Sequence, residues 1–262
     1  MSVLYLLRSQ DNKVYIVACD VGQGDGILIQ KKNSQILIDG GGGDRVNDCL
    51  SRHLPFWDRQ IELVVLTHPD LDHYEGLISV FRSYDVKNYM ATSLISADES
   101  FILLDRLIKE ENPKIIKAHA GINFSIIDLK FKVLKPANFE YQESEEENNH
   151  SVVLSFQYKD FDALFTGDIE DSGSDELSSF SDLANLEYLK VPHHGSKNGL
   201  SNSLLEITNP QLSVISVGKK NSYGHPHKEV LEILESSDTN ILRTDQLGDI
   251  VVKTDGYKYN IE

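Results

Sequence analysis

Thr67-His68-Pro69-Asp70-Leu71-Asp72-His73 is the stretch that decides how this chain reads. It follows Ile61-Glu-Leu-Val-Val-Leu66, an apolar run that predicts a buried strand, and it leads into a helical pattern from about Asp72 to Tyr84. Four groups able to bind a cation thus fall where a strand hands over to a helix. His68 and Asp70 lie on the turn, with Asp72 and His73 at the helix start, so one pair can serve one cation and the second pair a neighbour. The plainer alternative makes Asp72 a helix cap and His68 a hydrogen-bonded core residue. It does not explain four such groups together at the carboxyl end of a strand, where open sheets build sites.

Three other segments repeat the pattern of an apolar strand with polar groups at its end. Ala163-Leu-Phe-Thr-Gly-Asp168 delivers a carboxylate, and Leu189-Lys-Val-Pro-His193-His194-Gly195-Ser196 delivers two imidazoles. Leu212-Ser-Val-Ile-Ser-Val-Gly218 runs into Asn221-Ser-Tyr-Gly-His225-Pro-His227. Of nine histidines, only His53, His119 and His150 lie outside these motifs. A carboxylate between two cations can bridge them, and Asp168 is the natural candidate. Two divalent ions about 3.5–4 Å apart can share a hydroxide and clamp the group it attacks. Imidazole with carboxylate suits Zn2+, and each histidine exchanged for aspartate makes Mn2+ or iron more suitable.

The remaining patterns supply the frame. Strands are expected at Val14–Val17, Ile27–Ile29 and Ile36–Ile38, consecutive and antiparallel, and again at 151–158, 162–165, 186–191, 212–217, 241–244 and 249–253. Helical periodicity fits Phe101–Glu110, Leu200–Thr208 and His227–Leu234. Strands in both halves with helices after each group predict two sheets packed together and covered by helices outside. No Pro/Ser linker divides the 262 residues, so a single domain over 1–262 is expected. Apolar residues at 40% and charged residues at 25% exclude disordered and collagen-like classes, and no apolar run is long enough to cross a bilayer. The 25 Lys and Arg against 41 Asp and Glu give a net charge of -16, which disfavours broad coating of nucleic acid but leaves room for a local cationic cleft. Met1–Arg8 lacks the features of a signal peptide. With only Cys19 and Cys49, a disulfide scaffold is excluded and a reducing, cytoplasmic setting is expected.

These motifs resemble those of metallo-β-lactamase-fold hydrolases, and within them the soluble hydrolase domain of the competence DNA-uptake family ComEC. Asp20-Val-Gly-Gln-Gly-Asp25, Ile38-Asp-Gly-Gly41, Leu66–His73, Thr166-Gly-Asp168, Lys190–Ser196, Tyr223-Gly-His-Pro226 and Arg243-Thr-Asp245 carry the resemblance in order, over about residues 14 to 253. It implies an α+β fold, an αββα sandwich of two mixed β-sheets flanked by helices. It implies a dinuclear hydrolase in which metal-bound hydroxide cleaves a phosphoester, a phosphodiester of a nucleic acid or nucleotide being one option. Position by position, His68 and Asp70 become ligands of the first metal, and Asp72 and His73 of the second, with Asp168 bridging. One imidazole of His193 and His194 and that of His225 complete the shells. His194 is favoured, since neighbours on an extended segment point oppositely, and both are retained. The superfamily's usual second histidine is Asp70 here, and His150 stands near the place of a further one, where ligation and loop-tip solvation are equal options. ComEC's membrane channel has no counterpart in these residues, so a transport role is not implied.

Asp72, Asp168 and His227 are the candidate catalytic residues, His227 as proton donor to the leaving group; the alternative for His227 is a surface histidine at a helix start. Lys197, Lys219, Asn221 and Tyr223 fall on loops at the expected mouth and can face developing negative charge. The Gly22–Gly26 repeat has the wrong spacing for a nucleotide loop and reads as a tight turn near the site, with Asp25 positioning a ligand or serving structure. Gly40–Gly43 is a turn into a helix near Asp44 that offers backbone to an anion. Trp57 is expected to anchor packing. Two alternatives stand beside the phosphoesterase: hydrolysis of a carboxylic ester, thioester or lactam, and a non-catalytic interaction subunit whose acidic segment at 143–147 docks a protein partner.

Overall fold

The computed structural model describes residues 11–142 and 146–262; the reading of Met1–Arg8, and most of the acidic segment, lie outside them. Two mixed sheets face one another. The first runs, in spatial order, β17 (Tyr259–Ile261), β16 (Ile250–Thr254), β1 (Val14–Ala18), β2 (Ile27–Lys31), β3 (Ser34–Ile38), β5 (Leu63–Val65), β7 (Asn88–Ala91) and β8 (Lys114–Lys117). The second runs β15 (Asn240–Arg243), β14 (Leu212–Ile215), β13 (Tyr188–Lys190), β12 (Phe161–Phe165), β11 (Val153–Tyr158), β10 (Leu129–Lys135) and β9 (Asn123–Ile126). A short pair, β4 (Gln60–Ile61) and β6 (Asp85–Val86), lies apart from both.

Each sheet has an antiparallel part and a parallel part. β1, β2 and β3 form a meander as expected, and β3, β5, β7 and β8 are parallel. Likewise β9 to β12 are antiparallel, while β12 to β15 are parallel. Parallel neighbours need crossovers. Helices α2 (Leu71–Ser83) and α3 (Glu99–Glu111) supply them in the first sheet, and α4 (Asp171–Leu177), α5 (Asn202–Thr208) and α6 (Lys228–Glu235) in the second. α1 (Arg45–His53) follows β3, and a single turn, α7 (Thr244–Leu247), follows β15.

The strands read as continuous apolar runs because both of their faces are covered. Ile16, Ile29, Ile36 and Val65 meet Phe156, Phe165 and Val214 between the sheets. Their alternates Val17, Leu28, Leu37 and Val64 pack with Val46, Leu77 and Leu104 of α1 to α3. Leu164, Leu189 and Ile215 do the same with Leu177, Leu204 and Val230 of α4 to α6. This is the αββα sandwich of the α+β class. No sequence pattern announced β7 to β10, and the Trp57 expectation fails: its side chain is half exposed and meets Phe56 edge-on.

Cys19 and Cys49 are joined in a buried disulfide, their Cα atoms 5.8 Å apart, tying the exit of β1 to α1. That removes the support which the cysteine count gave to a reducing compartment; a count of two cysteines says nothing about their distance in the fold. No helix among the described residues is long and apolar enough to cross a membrane.

Asp249, at the start of β16, locks the same corner. It accepts from Arg52 (2.9 Å) and from the Asp20 backbone N–H (2.9 Å), and its carboxylate is 2.8 Å from His53 Nε2. Burial alone would raise its pKa, but the bonds from His53, Asp20 and Arg52 win and hold it down to about 2. A depressed carboxylate stabilises the fold above its unfolded value of 3.8 and loses that contribution as pH falls toward 2. Asp249→Asn is therefore expected to cost about 1–2 kcal/mol at pH 7 and to flatten the pH dependence of stability between about pH 4 and 2, read by urea denaturation across that range.

Candidate metal centre

All the parallel strands of a sheet end on one edge, and here the carboxyl edges of both sheets meet. β3 delivers Asp39, β5 Thr67 and His68, β12 Asp168, and β13 the His193–His194 turn. The sheets are stitched at this edge by the Val152 N–H donating to the Thr67 carbonyl at 2.9 Å.

Three imidazoles turn Nε2 toward one point because Nδ1 is occupied elsewhere. His73 Nδ1 donates to Asp39 Oδ2 at 2.8 Å. Asp39, fully buried, also accepts from the Thr67 N–H (2.8 Å) and hydroxyl (2.7 Å). With its proton committed to Asp39, the Thr67 hydroxyl accepts from His68 Nδ1 at 3.0 Å. His194 Nδ1 donates to the Ser216 carbonyl at 2.9 Å. Each ring is thereby oriented with Nε2 inward, where it can offer a lone pair once that nitrogen gives up its proton, the outer bonding that metal-binding histidines use.

Those Nε2 atoms converge on a carboxylate. Asp168 Oδ2 lies 3.0 Å from His194 Nε2 and 3.3 Å from His73 Nε2, and the two Nε2 atoms are 3.3 Å apart. His68 joins His73 and Asp168 in one group of mutually close ligand atoms; Asp72, His73 and His194 form another. Asp72 Oδ2 is 3.5 Å from His194 Nε2, and Asp70 Oδ2 is 3.5 Å from His68 Nε2. Among the described residues, His68 Nε2 and Ser151 Oγ are buried with no hydrogen-bond partner. Buried polar atoms normally have one, so orphaned acceptors and facing lone pairs fit a cation.

Lys190 completes the centre. Fully buried, its ammonium lies 2.5 Å from Asp25 Oδ2 and 3.3 Å from Asp168 Oδ1, and it donates to the Gly167 carbonyl at 2.8 Å. Burial pushes the Lys190 pKa down, yet Asp25 and Asp168 outweigh it and the net shift is upward. Burial would raise Asp168, but the charges of His194, His73 and Lys190 hold it well below the carboxylate range. His73 and His194 are raised for the converse reason, Asp168 and their own acid partners overcoming burial.

The residues after β13 are not extended, as the sequence suggested. His193, His194 and Gly195 all take positive φ (47°, 52° and 79°), a left-handed turn disfavoured for side-chain-bearing residues. The His227 N–H holds it by donating to the Gly195 carbonyl at 2.9 Å, and Pro226 packs so closely that a Cβ on Gly195 would lie 2.6 Å from it. The turn sends His194 into the centre and leaves His193 at its rim, Nε2 3.9 Å from Asp168 Oδ2. His225 stands beyond both, ring centroids 5.7 Å from His193 and 6.5 Å from His194, outside the groups of close ligand atoms. Burial and then the charges of His194, His227 and His193 lower its pKa to about 4. His227 lies next outward, 4.8 Å from His225, its Nδ1 accepting the Lys197 N–H at 3.0 Å. His150 is neither solvated nor in the centre: it is buried, with Nε2 bonded to the Phe139 carbonyl. The Gly40–Gly43 turn is closed to outside anions by Glu75, which accepts the Gly43 N–H at 2.7 Å.

The metallo-beta-lactamase superfamily signature matches residues 19–219. This chain belongs to that superfamily. ComE operon protein 3 of Bacillus subtilis is 29% identical over 94% of this chain and 34% of its own length; Recombination protein 2 of Haemophilus influenzae is 28% identical over 89% and 28%. The chain thus spans about a third of the curated relatives it matches. Among solved structures, the metallo-beta-lactamase fold protein YhfI of Bacillus subtilis superposes with a TM-score of 0.60 at 14% identity, covering 93% of this chain and all of that one. A diphosphatase of the PhnP family gives 0.55 at 13%, covering 92% and 98%.

Asp25, Asp39 and Lys190 are the members of this superfamily centre to which sequence reasoning gave no firm role. The signal for Asp39 was present: Ile36-Leu-Ile38 followed by an acid repeats the strand-then-ligand pattern. Lys190→Met would leave Asp25 and Asp168 buried without their counter-charge. It is expected to destabilise the metal-free protein by about 3–5 kcal/mol, the scale for breaking a buried pair. Part of that loss should return when Zn2+ or Mn2+ is added, measured by urea denaturation with and without chelator.

Proposed function

We propose that this protein is a metal-dependent phosphoesterase that holds two divalent cations between the carboxyl edges of its sheets. The observation that carries the reading is the convergence of the His68, His73 and His194 Nε2 atoms on the Asp168 and Asp72 carboxylates. Charge supports two ions over one. With the imidazoles neutral as metal ligands, Asp25, Asp39, Asp70, Asp72 and Asp168 bring five negative charges against one positive from Lys190, and two divalent cations offset the remaining four. The donor set suits Zn2+, with Asp70 in a histidine's place favouring Mn2+. His68 and Asp70 would hold the first ion and Asp72, His73 and His194 the second, with Asp168 available to both and His193 and His225 flanking. When bound, such a pair activates a water and neutralises charge on the attacked group.

The chain's own residues do the rest. Asp39, Thr67 and the Ser216 carbonyl orient the ligating rings. Lys190 takes Asp168 Oδ1 and leaves Oδ2 facing the ligands. The Lys197 N–H on His227 Nδ1 fixes the remaining ring proton on Nε2, where it can pass to a departing oxygen. Phosphorus is favoured over an acyl carbon by the company of this fold, which includes a diphosphatase, and by a relative named for recombination.

Elemental analysis of the protein is expected to give two divalent ions per chain, removable by chelator together with hydrolysis of bis(p-nitrophenyl) phosphate. Asp168→Asn should lower that hydrolysis by at least about 100-fold and drop the metal content to one or fewer, since removing a dominant electrostatic contact costs on this scale. Turnover of nitrocefin or a thioester in place of the phosphodiester would overturn the reading.

A further inference from the structure

Two neighbouring cavities, one of which reaches the metal centre, share Gly22, Gln23 and Arg45. One, of about 390 Å³, is lined also by Asp72, Leu71 and Tyr223. The other, of about 320 Å³, is lined by Lys219 and Lys220. Together they make one groove that begins at a ligand residue of the centre and ends among three cations, in a chain of net charge -16. Lys219 and Lys220 are exposed and enter no ion pair among the described residues; Arg45 reaches Asp20 only at 4.0 Å, its own side chain largely in solvent and that of Asp20 partly so.

The walls are rigid. Gly218 sits so close to the Gln23 loop that a Cβ there would lie 2.7 Å from the Gln23 nitrogen, and the Gly218 N–H donates to Gln23 Oε1 at 3.3 Å. Asn221 donates to the carbonyls of Gly218 (2.9 Å) and His225 (2.7 Å) and accepts the His225 N–H (2.9 Å). One stapled loop therefore carries the two lysines at one end and His225, beside the metal centre, at the other. Between them Tyr223, 63% exposed, stacks on His225 with ring centroids 5.6 Å apart and planes 23° from parallel. A solvent-facing ring backed by a second ring is a platform for a flat ligand, and aromatic rings alternating with cations are what single strands stack and pair on.

We propose that this groove is a subsite in which Arg45, Lys219 and Lys220 hold the phosphate next to the scissile one in a single-stranded oligonucleotide, with an intervening base on Tyr223. The proposal rests on the phosphoesterase reading. It makes the enzyme selective for phosphodiester chains over isolated diesters. Solvated lysines with no ligand are the plain alternative, and the test separates the two.

The measurement compares kcat/KM for hexathymidylate and for bis(p-nitrophenyl) phosphate in the metal-loaded protein, before and after Lys219→Ala with Lys220→Ala. The wild type should favour the hexamer by at least about tenfold, and the double variant should collapse that ratio through KM. Fluorescence anisotropy of the metal-loaded protein with a labelled phosphorothioate hexathymidylate, which resists hydrolysis, reads binding without turnover. There the lysine changes should weaken Kd about tenfold and make the salt dependence shallower by about 0.7 for each phosphate no longer neutralised. An abasic hexamer should bind more weakly than hexathymidylate, and Tyr223→Ala should erase that difference. Unchanged ratio, Kd and salt slope in the double variant overturn the subsite. Failure of the wild type to cleave either probe overturns the phosphoesterase reading instead, while the anisotropy still decides the groove.

Discussion

The structure depends on how a cluster of buried acids is kept from forcing itself apart. Asp25, Asp39 and Asp168 lie within a few ångströms of His73 or His194, all almost without solvent. Burying carboxylates is costly unless each is paired and hydrogen-bonded. Lys190 meets that demand for two of them at once, and His73 with the Thr67 hydroxyl and amide meets it for Asp39. Among the described residues, the one lysine inside the centre thus comes from an interior strand whose other residues are apolar, and it ties that strand to the loop after β1 and to the end of β12.

This pairing works because of the strand topology. Each sheet ends in parallel strands, so its polar groups accumulate on one edge, and the apolar layer between the sheets brings the two edges together. A change deep in that layer would therefore move ligands without touching them. The left-handed turn at His193–Gly195 follows from the same constraint. Only a reversed backbone returns His194 from the end of β13 into the centre while its Nδ1 still reaches the Ser216 carbonyl on the neighbouring chain segment. The cost of positive φ at two histidines is offset by Pro226 and the His227 N–H packed against Gly195.

Much of this was legible in the sequence, for identifiable reasons. Strands buried on both faces write themselves as unbroken apolar runs, and ligands at their ends stand out against them; His68, Asp72, His73, Asp168 and His194 were readable that way. β8 and β9 were not, because Lys114-Ile-Ile-Lys117 and Asn123-Phe-Ser-Ile126 are edge strands with largely exposed residues and a weak pattern. Lys190 was hidden by its type, since a lone lysine in a strand ordinarily marks a solvent face. Which of His193 and His194 turns inward depends on backbone torsions that no residue type at those positions announces. The Cys19–Cys49 bond needed the third dimension, as the two residues come from different elements that happen to share a corner.

The electrostatics of the centre and of its surroundings bear on each other. Without cations the centre carries an excess of carboxylate over ammonium in a protein that is already strongly acidic, so it repels an anion at the place where the proposed chemistry needs one. Filling the two proposed positions removes that excess, and the field along the groove is then set by Arg45, Lys219 and Lys220. Three positive charges count for more at the end of a neutral centre than they would beside an acidic one. On the proposed reading, then, attraction of a phosphate chain is conditional on the metals being in place. The net negative charge serves the same end: the surface as a whole disfavours polyanions, so a cationic groove beside the centre favours approach there.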